Sequence, residues 1–520
     1  VLEPCSTGLG GDCFILYYES STRKVHALNG SGAAPAALTL QRCLADVPKG
    51  SEEIPAGHPH CVTVPGAFAG WCDALSRWGS GSRSLSELLE PAAVLAQDGF
   101  PVSPVTAFHW RLCASQLEAG PHGAVLLMPN GESPETGEVF RNPDMARVLR
   151  ELGAGGKNSF YSGSVGSAII EVLEELGGVL SMEDLKAHKT SFIEPISVEF
   201  AGVRVHEVPP NGQGITALLA LSILDQLGEF GDPGKDAAAQ GRGGKAAHWH
   251  RLIETLRLAF ADTRWYCADP EKVYVPVEEL LGRAYAVERA RLFDPARASV
   301  DVVAGSPTKS SCTVSFQVVD EAGNAVSFVN SNYLGFGSGI VPKGCGFTLQ
   351  SRGSNFSLDP EHSNVLAPGK RPYHTIIPCM VTTGDTGELF ATMTNMGGFM
   401  QPQGHVQLLV NMLVDGMDPQ AAIDAPRFCI RDGNANGAIA VELWTSEDEG
   451  NDEPAGRGEE ERGSSVAEEL RRMGHSVVIL EGHDRAEMGR AQIIQRRTSG
   501  DTQVLWCGSD GRADGCAMAW

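Results

Sequence analysis

Long apolar runs are missing from this sequence of 520 residues. No stretch of about 18 or more apolar residues occurs, so we expect no membrane-spanning helix. Clusters of basic residues are also missing, and the net charge of −23 argues against nucleic acid as a partner. The glycine-rich residues 8–12 lack the pattern of a phosphate-binding loop, in which the glycines are followed by Lys and then by Ser or Thr.

Paired cysteines are missing as well. The 13 cysteines include no CxxC pair and no Cys/His spacing typical of a metal site, so we expect neither a metal nor another cofactor. Most lie in apolar stretches, which predicts buried, reduced thiols and slightly favours the cytoplasm. The sequence begins at Val1 without an initiator Met or the charged-then-apolar pattern of a signal peptide. We therefore expect that an N-terminal segment is missing.

Strand-like and helix-like patterns alternate along the chain and predict a mixed α/β protein. Residues 14–18 and 200–208 have the composition of strands, whereas residues 85–97, 162–176 and 248–262 are predicted to be helices. The chain is too long for one small core, so we expect a large single architecture or two intimate halves.

Two segments interrupt this alternation and are predicted to be surface inserts. Residues 228–245 are rich in Gly and Ala and have no apolar period. Residues 448–465 are rich in acidic residues, which favours a solvated segment.

The most informative region lies between residues 310 and 424. Residues 314–319 and 325–330 predict two strands of a hairpin. Gly397 and Gly398 lie before an apolar helix predicted over residues 406–415. Adjacent glycines between a strand and a helix can direct two backbone N–H groups at an anion. Taken alone, however, the pair fits an ordinary turn better.

Seven short motifs together resemble the γ-glutamyltransferase family. They are EPCSTGLGG at 3–11, TVPG at 63–66, VPPNGQG at 208–214, VVDEAGNAV at 318–326, FGSG at 336–339, PGKRP at 368–372 and APRF at 425–428. No single motif is decisive, but their order and spacing follow the family over almost the whole chain, apart from the two inserts.

This resemblance implies a four-layer αββα sandwich of the N-terminal-nucleophile hydrolase type. It also implies a precursor that cuts itself into a large chain, residues 1–312, and a small chain, residues 313–520. The two chains would remain associated as one αββα unit, and the substrate would be a small γ-glutamyl compound.

The family register, counted back from Val318, places the nucleophile at Thr313 and the cut between Cys312 and Thr313. Once Thr313 is N-terminal, its α-amine, with a pKa of about 7.7–8.0, can act as a base at neutral pH. The family often has Asp before this Thr, and Thr-His or Thr-Tyr after it. Here the neighbours are Cys312, Val314 and Ser315, and the local sequence alone fits an ordinary strand start better.

Other catalytic positions follow from the same resemblance. Ser331 takes the place of a hydroxyl that hydrogen-bonds the nucleophile. Gly397 and Gly398 match the glycines whose N–H groups form the oxyanion hole, which commonly supplies the largest catalytic effect.

The substrate-binding positions differ from the family pattern. The Arg that holds the glutamyl α-carboxylate is absent from residues 29–35. The remaining candidate substrate-binding positions carry Tyr333, Asn355, His374 and Thr375, where the family has Asn, an acidic residue and a Ser-Ser pair. Arg352 could replace the missing Arg as a carboxylate ligand. It could equally brace a loop, and the sequence does not separate the two roles.

The predicted function is amide hydrolysis or acyl transfer through an acyl-Thr ester, with γ-glutamyl amides such as glutathione as substrates. One alternative is an acylase for another amide, of the β-lactam side-chain type. A second is an unprocessed pseudoenzyme with a binding role. Self-cleavage separates this last alternative from the two enzymes.

Overall fold

The computed structural model describes residues 1–228, 244–299, 312–442, 459–499 and 502–520. The strands are β1 Asp12–Glu19, β2 Lys24–Gly30, β3 Phe100–Pro101, β4 Val139–Phe140, β5 Ser191–Ile193, β6 Ile196–Phe200, β7 Val203–Glu207, β8 Cys312–Val319, β9 Ala325–Tyr333, β10 Cys379–Thr383, β11 Leu389–Met396, β12 Phe428–Ile430, β13 Ile439–Glu442, β14 Val477–Leu480, β15 Arg490–Ser499 and β16 Thr502–Ser509.

The helices connect and cover these strands. They are α1 Leu40–Asp46, α2 Ala67–Trp78, α3 Leu85–Asp98, α4 Pro104–Ala119, α5 Pro143–Gly155, α6 Lys157–Tyr161, α7 Ser164–Glu175, α8 Met182–Ala187, α9 Gly214–Gln226, α10 Gly244–Tyr266, α11 Val277–Leu280, α12 Arg283–Ala290, α13 Met400–Leu413, α14 Pro419–Asp424 and α15 Glu459–Arg472. A short 3-10 helix, Arg352–Asn355, contains two of the candidate substrate-binding residues.

Two large sheets form the centre of the fold. The first sheet has the strand order β5-β2-β1-β9-β8, and the second has the order β16-β15-β11-β10-β7-β6. Strand β1 pairs antiparallel with β2 on one side and with β9 on the other, so it is almost wholly buried. The predicted hairpin is present as β8 and β9, which close with Val319 opposite Ala325.

The two sheets pack face to face. Phe14, Leu16 and Val329 of the first sheet share a buried apolar cluster with Met380 and Leu389 of the second. Because side chains alternate between the faces of a strand, the opposite faces need separate cover.

Helices cover both outer faces. Cys13, Ile15 and Leu28 of the first sheet pack with Ala67 and Trp71 of α2. On the second sheet, apolar residues of β6, β7, β10, β11 and β15 form one core with α9, α10 and α13. Helix α9 is buried on almost all sides, as expected of a helix with no polar face. The molecule is therefore the αββα sandwich that the resemblance implied.

The two predicted inserts lie largely outside the described residues, which omit 229–243 and 443–458. The described C-terminal ends of both are helical, since α10 begins at Gly244 and α15 begins at Glu459. Among the described residues, no helix is both long and apolar enough to cross a membrane. The described cysteines form no disulfide and are mostly buried.

Candidate active site

Thr313 lies in β8 opposite a local irregularity of β9. Cys312 pairs with Tyr333 and Val314 pairs with Asn330, so one residue of β8 faces two of β9. Such a bulge redirects side chains out of the regular ladder. The Thr313 side chain is buried, and its Oγ1 donates to Ser331 Oγ at 3.2 Å. The predicted nucleophile and its predicted hydroxyl partner are thus in contact.

Gln401, in the first turn of α13, is the second residue in contact with Thr313. Its Nε2 lies 3.5 Å from Thr313 Oγ1, and its Oε1 accepts from the Ile377 N–H at 2.9 Å. The amide of Gln401 is therefore held by the backbone, with its donor directed at the hydroxyl.

Gly397 and Gly398 form the turn between β11 and α13. Their φ angles are 133° and 60°, a region that favours glycine. A Cβ on Gly397 would lie 3.0 Å from Gly489 Cα. The Gly398 carbonyl accepts from Gln213 Nε2 at 2.8 Å, which fixes the orientation of the turn. Within the described part of the chain, neither glycine N–H donates a hydrogen bond, so both are available to an anion.

Arg352 is the buried cation of the site. Its Nη1 donates to Thr375 Oγ1 at 2.7 Å, its Nη2 donates to Ser331 Oγ at 3.3 Å, and its guanidinium lies 4.6 Å from the centre of the Tyr333 ring. No carboxylate of the described residues lies within 4.0 Å of it, and its Nε has no partner there. Burial lowers the pKa of Arg352 to about 10, so the group stays charged at neutral pH.

Asp12 and His374 form a buried pair behind this cation. Asp12 Oδ2 accepts from His374 Nε2 at 3.1 Å, and Asp12 Oδ1 accepts from the N–H groups of Gly32 and Gly66 and from Gln350 Nε2, each at 3.1 Å. Burial raises the pKa of Asp12 to about 7, opposed by the charge of Arg352. Burial and Arg352 hold the pKa of His374 well below its usual value, so its imidazole is neutral at pH 7.

Asn355 ends the 3-10 helix that begins at Arg352. Both its Oδ1 and its Nδ2 are buried, and neither has a hydrogen-bond partner among the described residues. A buried amide without partners is costly, so a polar ligand would be favourable at this position.

The structure brings together most of the predicted site residues. Thr313, Ser331, Arg352 and Thr375 form one chain of hydrogen bonds, and the Tyr333 backbone N–H joins it by donating to Ser331 Oγ at 2.9 Å. In contrast, His374 uses both ring nitrogens internally, on Asp12 and on the Ile376 N–H. Among the described residues, the Asn355 side chain makes no hydrogen bond to that chain.

Sequence reasoning missed three residues of this region, namely Asp12, Gln213 and Gln401. Gln213 Nε2 donates both to Gly398 O and to Thr375 O, at 2.8 and 2.5 Å, and so ties together two parts of the site. The sequence contained a signal for two of these three residues. Gln213 lies within the VPPNGQG motif, and Asp12 directly follows the first glycine-rich motif.

Two clusters among the described residues have side chains suited to a metal ion. They are Glu207, Cys379 and His405, and His250, Glu254 and His475. In each cluster the groups already bond one another: His405 Nδ1 lies 2.7 Å from Glu207 Oε1, and His250 Nδ1 lies 2.8 Å from His475 Nε2. Neither cluster includes a residue in contact with Thr313.

Known proteins resemble this chain over its full length. The profile of the gamma-glutamyltranspeptidase family matches residues 1–520. The glutathione hydrolase-like YwrD proenzyme of Bacillus subtilis is 34% identical over 520 residues, covering 100% of this chain and 91% of the relative. The oxamate amidohydrolase proenzyme of Klebsiella pneumoniae is 31% identical, covering 100% of this chain and 92% of the relative.

A solved structure extends the likeness to three dimensions. The crystal structure of cephalosporin acylase from Bacillus halodurans superposes with a TM-score of 0.84 at 37% identity, and the match covers 100% of this chain and 89% of that one. The profile match over the full length, together with these relatives, shows that this chain belongs to the gamma-glutamyltranspeptidase family of enzymes.

Proposed function

We propose that this chain is a precursor that cuts its own Cys312–Thr313 bond and then hydrolyses amides through an ester on Thr313. The contact of the buried Thr313 hydroxyl with Ser331 and Gln401 carries this proposal. A Thr hydroxyl is a weak nucleophile unless neighbouring groups activate it, and such groups surround Thr313.

Self-processing uses the Thr313 hydroxyl first. Its oxygen attacks the carbonyl carbon of Cys312, the C–N bond to Thr313 breaks, and the nitrogen takes the hydroxyl proton. The product is an ester between Cys312 and the Thr313 side chain. Water opens this ester, leaves a carboxylate on residue 312 and returns the proton to the hydroxyl. Thr313 is then N-terminal.

The same hydroxyl acts on substrate. The new α-amine takes its proton while Oγ1 attacks the amide carbonyl. The N–H groups of Gly397 and Gly398 stabilise the developing oxyanion, and the leaving amine receives the proton. Water then hydrolyses the acyl-Thr ester with the amine again as base. An amine acceptor in place of water would give acyl transfer.

Arg352 supports an acyl group that carries a carboxylate. A buried guanidinium without an ion-pair partner among the described residues favours a ligand anion, which it can bind through two parallel hydrogen bonds. γ-Glutamyl amides such as glutathione meet this requirement. Carboxylated acyl groups without an α-amine also meet it. Asn355 stands where the family has an acidic residue, so an α-ammonium group would lack a carboxylate partner there. This favours acylase activity as a second candidate.

N-terminal sequencing of the purified, full-length protein tests the proposal. We expect two bands, with the smaller beginning at Thr313. Thr313→Ala should remain uncut and inactive, and Thr313→Ser should retain part of both activities. Ser315→Ala is a matched control, because Ser315 lies two residues away on β8 and bonds Thr394 instead. An intact wild-type band would support the binding-protein alternative.

A further inference from the structure

Gln213 lies between two segments of the candidate active site and forms hydrogen bonds with both. Its side chain is fully buried. Its Nε2 donates to the carbonyl oxygens of Gly398 and Thr375, at 2.8 and 2.5 Å. Its Oε1 accepts from the hydroxyl of Tyr373 at 2.8 Å. Both hydrogens of the amide nitrogen are therefore in use, and so is a lone pair of the amide oxygen.

The neighbours of Gln213 determine the orientation of its amide. A carbonyl oxygen can only accept, so the amide nitrogen must face Gly398 and Thr375. A hydroxyl can donate, so the amide oxygen must face Tyr373. The backbone is held as well, because the Gln213 N–H donates to His374 O at 3.0 Å and its carbonyl accepts from an N–H in the first turn of α9 at 2.9 Å. Neither the backbone nor the amide can therefore move without losing a hydrogen bond.

The two carbonyls that Gln213 binds belong to residues at opposite ends of the site. Gly398 supplies one of the N–H groups assigned to the oxyanion, and Thr375 Oγ1 accepts from Arg352 Nη1 at 2.7 Å. From these contacts we propose that Gln213 is a positioning residue that fixes the oxyanion turn relative to Arg352. One amide thus aligns the reacting carbonyl and the carboxylate of the same acyl group. This inference rests on the proposed Thr313 chemistry.

Loss of the Gln213 amide should affect turnover and specificity together. Without it, the Gly398 carbonyl keeps its bond from the Gln401 N–H, at 3.2 Å, at the start of α13. The turn then remains attached to its helix but loses its connection to the residue that holds Arg352. A misplacement of reacting groups by about 1 Å can lower a rate by about 10²-fold. Substrates that use both the oxyanion donors and Arg352 should therefore lose most.

Two chromogenic anilides test this inference on the processed enzyme. Glutaryl-para-nitroanilide carries a terminal carboxylate, and butyryl-para-nitroanilide has the same acyl chain without it. Gln213→Met removes the donor and the acceptor but keeps an unbranched, flexible side chain. We expect kcat for the glutaryl substrate to fall by about 10²-fold, and the preference in kcat/KM for glutaryl over butyryl to fall by about tenfold.

Gln407→Met is the matched control. The buried Gln407 amide bonds the same kinds of groups, two carbonyl oxygens through Nε2 and a backbone N–H through Oε1, but these belong to Gln403 and Phe428. We expect a lower Tm and an unchanged preference for the glutaryl substrate. Tyr373→Phe is a second test variant, which keeps the ring and removes the hydroxyl that orients Gln213. It should reduce the same preference, with a smaller loss of kcat than Gln213→Met.

The outcomes separate this inference from the proposed function. If Gln213→Met and Tyr373→Phe lose no more of the glutaryl preference than Gln407→Met, Gln213 has only a structural role and the inference is overturned. If Gln213→Met does not fold, Tyr373→Phe decides alone. A wild-type chain that cuts itself but does not prefer the glutaryl substrate, or hydrolyses neither anilide, also overturns the inference while self-processing stands. A wild-type chain that stays uncut overturns the proposed function, and this inference with it.

Discussion

Gln401 donates toward the Thr313 hydroxyl from the first turn of α13, at 3.5 Å, although the two residues lie 88 positions apart in the sequence. Because the Ile377 N–H holds the other end of its amide, Gln401 cannot turn away without losing that bond. The residue thus couples the start of α13 to the start of β8, the two elements that meet at Thr313.

Replacing Gln401 with Met should slow self-processing and lower kcat by about tenfold. This loss is smaller than that expected for an oxyanion-hole donor, because the contact between Gln401 and Thr313 is long. The measurement is the half-time of precursor loss on gels, followed by kcat of the processed enzyme. Gln407→Met is the matched control, since Gln407 is buried two turns later and bonds Phe428 instead. Equal losses in the two variants would contradict a specific role for Gln401.

Gly398 should be needed for turnover more than for stability. Any side chain there is strained at a φ of 60°, and a shift of the turn moves its N–H away from the oxyanion. We expect Gly398→Val to lower kcat by about 10²–10³-fold. Gly416→Val carries a similar backbone cost at a φ of 70° with nothing within 4 Å. If both variants lose equal activity and equal Tm, the turn has only a structural role.

The Asp12 carboxyl should make substrate affinity depend on pH near 7. Its pKa is raised to about 7, so it ionises as the pH passes that value and offsets the charge of Arg352. KM for an amide that carries a carboxylate should therefore rise from pH 6 to pH 8. Over the same range kcat should increase, because the α-amine of Thr313 must lose its proton to act as base.

The ionisation of Asp12 should also lower the stability of the folded chain as the pH rises. Since the pKa of Asp12 is higher in the folded chain than in the unfolded one, the folded state binds more protons between about pH 4 and 7. The contribution of Asp12 to stability is thus present at low pH and is lost as the pH rises through about 7. In Asp12→Asn, urea unfolding at pH 5 and pH 8 should differ less than in wild type, and the rise of KM should disappear. If KM of Asp12→Asn depends on pH as in the wild type, Asp12 is not the cause of that dependence.

Asp510 should be essential for the stability of the second sheet. Its Oδ2 accepts from Arg427 Nη2 at 2.6 Å, and both side chains are buried. Asp510→Asn leaves the buried guanidinium of Arg427 with its other hydrogen bonds but without its carboxylate, and we expect a loss of about 3–5 kcal/mol in the free energy of unfolding. Glu388→Gln breaks the exposed Arg23–Glu388 pair and should cost less than about 1 kcal/mol. Urea denaturation measures both.

Local patterns in the sequence predicted the hairpin of β8 and β9, because alternation and turn residues determine such a pair over a short stretch. The prediction for α13 was too short at its N-terminus. It began at residue 406, whereas the helix begins at Met400. Pro402 is tolerated in the first turn, and burial against the second sheet outweighs the weak helix propensity of Gly404.

The site was predictable only where one motif carries the chemistry. Thr313 and Ser331 follow from the register of a single hairpin in the family pattern. Asp12, Gln213 and Gln401 come from three distant segments. The pairing of β1 with β9 places Asp12 opposite Ser331, and tertiary packing brings Gln213 to Gly398 and Gln401 to Thr313. For the same reason, the sequence left Arg352 open between a carboxylate ligand and a loop brace.

Both sheets contain strands from each side of the Cys312–Thr313 bond. Strand β1 pairs with β9 in the first sheet, and β7 pairs with β10 in the second. Before the cut that we propose at this bond, refolding is unimolecular, because one covalent chain carries every strand. After the cut, two chains must meet before either sheet can form, so the recovery of folded protein becomes dependent on concentration. The processed protein would therefore be stable kinetically, and its lifetime would be set by its unfolding rate.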